Sequence, residues 1–86
     1  MPINAELTYS IKGESASFKG QCKNLSHSGI QFETSKHLRE GVSLEITIDT
    51  RSDVFKPMHA TVEVLRIDPL ENSGYRVSGK ILEYKE

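Results

Sequence analysis

Phe18-Lys19-Gly20-Gln21-Cys22-Lys23-Asn24-Leu25-Ser26-His27-Ser28-Gly29-Ile30-Gln31-Phe32-Glu33 holds two stretches of period two around a single break. Before the break, Phe18, Gly20 and Cys22 alternate with Lys19, Gln21 and Lys23; after it, Ile30 and Phe32 alternate with Gln31 and Glu33. Successive strand side chains point to opposite faces, so each stretch reads as a half-buried strand. The hexapeptide at 24–29 is then the turn between them. Short amide and hydroxyl side chains beside a glycine backbone that can reach φ > 0 make an edge-reader for a flat polar ligand.

The same period extends in both directions. Ala5, Leu7, Tyr9 and Ile11 alternate with Glu6, Thr8, Ser10 and Lys12, and Gly13-Glu14-Ser15 follows as a hairpin turn. Residues 36–41 break the pattern and predict a loop or a single helical turn. Val42, Leu44, Ile46 and Ile48 against Ser43, Glu45 and Thr47 form the most regular strand in the chain. Residues 49–56 read as a polar connection, and Pro57 behind them delays pairing until after it, because proline cannot donate to a ladder. Ala60, Val62 and Val64 alternate with Thr61, Glu63 and Leu65, and that strand runs to about Ile67. Pro69 and Asn72-Ser73-Gly74 mark a turn. Tyr75, Val77, Gly79 and Ile81 then face away from Arg76, Ser78, Lys80 and Leu82 in a closing strand.

Six short strands with little or no helix predict an all-β fold, a small antiparallel barrel or sandwich. A barrel is preferred, since so short a chain cannot protect two sets of open edges. Gly20 and Gly79 inside strands mark barrel bends or close backbone approach.

Composition narrows the function. Eighty-six residues with 36% hydrophobic content make one domain, 1–86. A chain of this size buries only about 60–65% of its unfolded surface, which disfavours a deep enzyme cleft. A net charge of -1 and 7% aromatic residues disfavour a DNA- or RNA-binding barrel, which needs basic surface and stacking platforms. No secretory leader and no apolar run long enough for a bilayer are visible, and the lone Cys22 offers no internal disulfide. A cytoplasmic protein is expected. Ser26, His27 and Ser28 are neighbours in one turn and do not converge as a catalytic triad does, so no enzyme is expected. Cys22, His27, His37 and His59 lack metal-ligand spacing, and Cys22 reads as a small core side chain.

The hexapeptide fits the pattern [D/N]-x-S-x-x-G, and its surroundings extend the likeness. Phe18-Lys19-Gly20 leads into it, Gly29-Ile30-Gln31-Phe32 leaves it, and Ala60-Thr61-Val62 with Gly74-Tyr75-Arg76-Val77-Ser78-Gly79-Lys80-Ile81-Leu82 makes a closing hairpin at the expected separation. Along nearly its whole length the chain resembles the PilZ domain family, bacterial modules that sense cyclic di-GMP. The resemblance implies a six-stranded antiparallel barrel. It also implies that Asn24 and Ser26 hydrogen-bond a guanine edge while Gly29 lets the turn close. His27 has two readings from its place in the hexapeptide: a contact to a phosphate or a base, or an exposed turn histidine with no ligand role, and the second is favoured. Cyclic di-GMP is thus the implied ligand, and no other cofactor or metal is expected.

The family's second element is an R-x-x-x-R segment some twenty residues ahead of the hexapeptide, which grips phosphates and stacks on guanine. Counted back from Asn24, its second arginine falls near Pro2 and its first before Met1; the first basic residue is Lys12. A hydrogen bond to a charged group contributes roughly 1.5–3 kcal/mol. Losing two arginines therefore weakens binding by about 3–6 kcal/mol, on the order of 10²–10⁴-fold, turning a micromolar receptor into a millimolar one. Lys19, Lys23, His27, Lys36, Arg66 and Arg76 are the other candidate cations, and their strand positions predict scattered placement. Members with a degraded arginine motif are associated with type IV pilus assembly and motility. The resemblance accordingly implies a regulatory module acting through an unidentified protein partner, with a receptor that uses other cations as the alternative.

Overall fold

A computed structural model describes residues 2–49, 58–71 and 73–85 of the chain. Six strands run in order: β1 (Pro2–Ile11), β2 (Ser17–Leu25), β3 (Gly29–Thr34), β4 (Ser43–Ile48), β5 (Met58–Pro69) and β6 (Tyr75–Lys85). They close into a barrel in the order β1-β2-β3-β6-β5-β4, every neighbouring pair antiparallel. Closure leaves no strand edge unpaired, the need from which the barrel was expected. No helix occurs among the described residues; 36–41 are irregular, so the helical turn allowed there does not form. The connection expected across residues 50–57, with its proline, lies outside the described residues, as does Asn72.

The barrel is filled by the inward side chains that alternation picked out. Leu7, Tyr9, Cys22, Phe32, Leu44, Ile46, Val62 and Val77 are all buried. Burial also pushes the Cys22 thiol upward, which keeps it protonated and unreactive. One core residue comes from no strand: Leu38, in the β3–β4 loop, is as buried as these and packs in the same cluster. Gly20 and Gly79 both mark close approach. A Cβ on Gly20 would lie 2.9 Å from the Glu33 carbonyl oxygen, and one on Gly79 only 2.3 Å from Val62 Cγ1.

Tyr9 carries the one phenol of the core, against Phe18 and Phe32 with ring centroids 5.7 and 5.3 Å away. Its Oη donates to Thr34 Oγ1 at 2.8 Å, and Thr34 in turn donates to the Lys19 carbonyl and accepts from the Lys36 N–H. Both buried hydroxyls thus have partners, as burial requires. Burial raises the phenol above its ordinary pKa, outweighing the opposite pull of the Thr34 bond. The neutral form is therefore favoured in the fold. Its contribution is complete below the unfolded value of about 10 and is lost as pH rises through the higher folded one. Thermal unfolding should hold a constant midpoint from neutral pH to about 9 and fall above about 10. In Tyr9→Phe the alkaline fall should be shallower, and an equally steep fall would assign it to other groups.

Candidate functional site

The hexapeptide sits at the β2–β3 junction, at one mouth of the barrel. Asn24 and Leu25 end β2, Gly29 begins β3, and only residues 26–28 form the turn. Strict alternation from the buried Cys22 would send Asn24 inward. A bulge prevents this: pairing passes from Cys22↔Phe32 to Asn24↔Gln31, leaving Lys23 unpaired as the extra residue. One extra residue reverses the phase of everything after it. Asn24 thus comes out on the exposed wall, and Leu25 turns toward the core opposite Ile30.

Ser26 closes the turn. Its N–H donates to the Gly29 carbonyl at 2.9 Å, and its Oγ accepts from the Gly29 N–H at 3.2 Å and donates to the Gly29 carbonyl at 3.3 Å. The hydroxyl keeps one acceptor lone pair for a ligand. Gly29 departs from the expectation of a left-handed turn residue. The glycines with positive φ are Gly13, Gly41 and Gly74, whereas Gly29 is a strand residue paired with Lys80. Nor does close approach demand glycine there, since a Cβ would make only ordinary contacts, 3.4 Å from the Gly79 carbonyl and 3.6 Å from Ser26 Oγ. His27 is exposed at the apex.

Register then builds a notch on the outer wall. Asn24 faces Gln31, Gln31 faces Ser78, and Gln31 Nε2 donates to Ser78 Oγ at 3.4 Å. Asn24, Ser26, Gly29, Ile30, Gln31, Ser78 and Gly79 line a cleft of about 370 Å³. That lies at the small end of ligand sites, enough for one base. Amide, hydroxyl and carbonyl groups present both donors and acceptors, and no charge. The three motif residues therefore meet in one place. Gln31 and Ser78 were not singled out from sequence, because their membership depends on β3 pairing with β6 across 40 residues of chain. Two other clefts, about 420 and 470 Å³, lie by Glu6 and Lys19 and by His37 and Tyr75.

Three cations flank one side of the notch, each set against a carboxylate. Ser78 has Arg76 and Lys80 two residues away on its own face and Arg66 opposite it on β5. Arg76 Nη2 is held by Glu33 at 3.3 Å and Arg66 Nε by Asp68 at 3.0 Å, while Lys80 faces Glu63 across the ladder. Lys19 pairs with Glu6 at 3.8 Å, and Lys36 lies over the Phe18 ring, 4.4 Å from its centroid. Lys85 donates to Glu45 at 3.0 Å, which holds that carboxyl below the usual carboxylate range. Lys23 is exposed on its bulge beside Asn24. Among the described residues no group of three or more His, Cys, Asp or Glu could hold a metal, and no helix is long and apolar enough to cross a membrane.

Pro2 pairs with Asn24 across β1 and β2. The position nearest the expected second arginine therefore lies beside the motif, as a two-part site requires, but a proline there supplies no donor. Comparison with curated proteins gives no match. The chain that closes into this six-stranded barrel is matched over residues 2–84 by the family model for the PilZ domain. This chain belongs to the PilZ domain family, regulatory and non-catalytic modules of cyclic di-GMP signalling.

Proposed function

We propose that this PilZ module has kept the guanine-reading notch without a phosphate clamp, binds cyclic di-GMP weakly or not at all by itself, and regulates through protein contacts in the bacterial cytoplasm, in type IV pilus assembly or motility. The observation that carries this reading is electrostatic. No residue lining the notch is charged, and the nearest arginines are already engaged by Glu33 and Asp68. A dianionic ligand gains from cations that are free to meet it, and here each of the two arginines would have to exchange a carboxylate for a phosphate. Protein contact has support in Leu65 and Leu82, which are 53% and 51% exposed on the β5–β6 ribbon.

Titration calorimetry with cyclic di-GMP tests the reading. The expected heats do not saturate below about millimolar ligand, following the 10²–10⁴-fold loss attached to two missing arginines. Saturation at low micromolar ligand, abolished in Asn24→Ala or Ser26→Ala, would overturn it.

One observation favours the alternative of a working receptor. Arg66, Arg76 and Lys80 surround Ser78, and exposed ion pairs are worth only about 0–1 kcal/mol each, so phosphate oxygens can displace them. Under that reading Arg66→Ala and Arg76→Ala each weaken dinucleotide binding, and the weakening shrinks with added salt.

A further inference from the structure

The end of β6 reaches the ligand turn through one side chain. Pairing along β5 and β6 passes from Val62↔Ile81 to Thr61↔Glu83, which leaves Leu82 as an extra residue. Without that bulge, Tyr84 would share the outer face with Lys80 and Leu82. With it, Tyr84 comes opposite Ala60, a core residue, and its ring is carried toward the barrel mouth. There Tyr84 Oη lies 3.4 Å from the Ser26 carbonyl oxygen and 3.3 Å from that of His27, so one hydroxyl proton is shared between two successive carbonyls. The neighbouring Lys85 is tied to Glu45 on β4, which holds this end of β6 to the barrel wall.

We propose that Tyr84 is a positioning residue for the ligand turn, a role that rests on reading the hexapeptide as that turn. Other fastenings of the turn are local or lie at its far side. Ser26 bonds to Gly29, and the Ile81 N–H donates to the Ser28 carbonyl at 2.9 Å. These secure the first and last residues but leave the Ser26–His27 and His27–Ser28 peptide planes free to rotate. A donor to both carbonyls fixes both planes, and with them the course of the turn that brings Ser26 to the notch and His27 to the apex. Tyr84 is 44% exposed, so the ring itself is dispensable to the core and the hydroxyl can be removed without opening a cavity.

The test compares the wild-type chain with Tyr84→Phe and Asn24→Ala, first without ligand. In Tyr84→Phe the carbonyl carbon resonances of Ser26 and His27 should move upfield. Amide exchange at Ser26 and Gly29 should quicken roughly three- to tenfold, the loss of one ordinary hydrogen bond. Exchange at Ile46, in β4, should stay as it was. Turn carbonyl shifts and exchange in Tyr84→Phe identical to wild type would overturn the proposal. A second arm adds millimolar cyclic di-GMP. If Asn24→Ala leaves its binding intact, the notch reading falls, while the ligand-free spectra still decide what Tyr84 holds.

Discussion

Gly79→Ala is expected to lower the melting midpoint by roughly 10–20 °C, the effect of losing about 2–3 kcal/mol in a domain of this size. The added methyl has nowhere to go. Its carbon would lie 2.3 Å from Val62 Cγ1 and 3.1 Å from the Glu63 carbonyl, and Val62 is completely buried. Alanine in place of glycine also restrains the unfolded chain, which alone would stabilise by about 0.4–1 kcal/mol. A net destabilisation therefore has to come from the clash. Val62→Ala removes the atom in the way, at the expense of a cavity worth about 1–3 kcal/mol. The two changes should be strongly non-additive, with the double variant more stable than the sum of the singles predicts by at least about 1 kcal/mol. Strict additivity in thermal melts would show that the β5–β6 contact is looser than the geometry states. Gly79 also floors the ligand notch, so core packing and site shape share this residue.

Much of this architecture is legible in alternation. Leu7 and Tyr9, Leu44, Ile46 and Ile48, and Val62 and Val64 all lie inward as their period of two requires. The placement of Asn24, Ser26 and Gly29 together follows from their closeness in sequence. What alternation does not carry is a change of phase. The bulges at Lys23, Leu65 and Leu82 each insert one residue without disturbing the local composition, yet they decide that Asn24 faces out and that Tyr84 meets the turn, whereas Leu65 and Leu82 are exposed as alternation already has them. A bulge is set by how two strands pair, which the pattern of either strand alone does not carry. Gln31 and Ser78 escape for the same reason. Gly29 illustrates a different gap: its place in a turn motif suggests a left-handed glycine, yet its backbone is that of a strand and a Cβ there would meet only ordinary contacts.

Leu38→Asp should destabilise the barrel by more than about 4 kcal/mol at neutral pH, a large share of the roughly 4–13 kcal/mol available to 86 residues. Leu38 lies in an otherwise polar loop with Ser35, Lys36, His37, Arg39 and Glu40, and a single apolar residue there has no period to betray it. In the fold it seals the barrel end opposite the hexapeptide, only 2% exposed and within the core cluster. Gly41 and Val42 fasten the loop behind it, the Gly41 N–H donating to the Val64 carbonyl at 2.8 Å and the Val64 N–H to the Val42 carbonyl at 2.9 Å. With its backbone fixed, the loop cannot withdraw the side chain to water without breaking both bonds. An aspartate at this site meets desolvation, which disfavours its charged form and raises its pKa in the fold. The penalty is therefore greatest above that raised value and shrinks as pH falls toward the unfolded value of about 3.9. Leu38→Ala supplies the contrast: it loses about 2–5 kcal/mol through the cavity alone, and its deficit relative to wild type should not vary with pH. Urea melts of both variants between pH 4 and 8 separate the two contributions. A Leu38→Asp deficit that stays constant with pH would mean the side chain reaches solvent, and the barrel end would then be open.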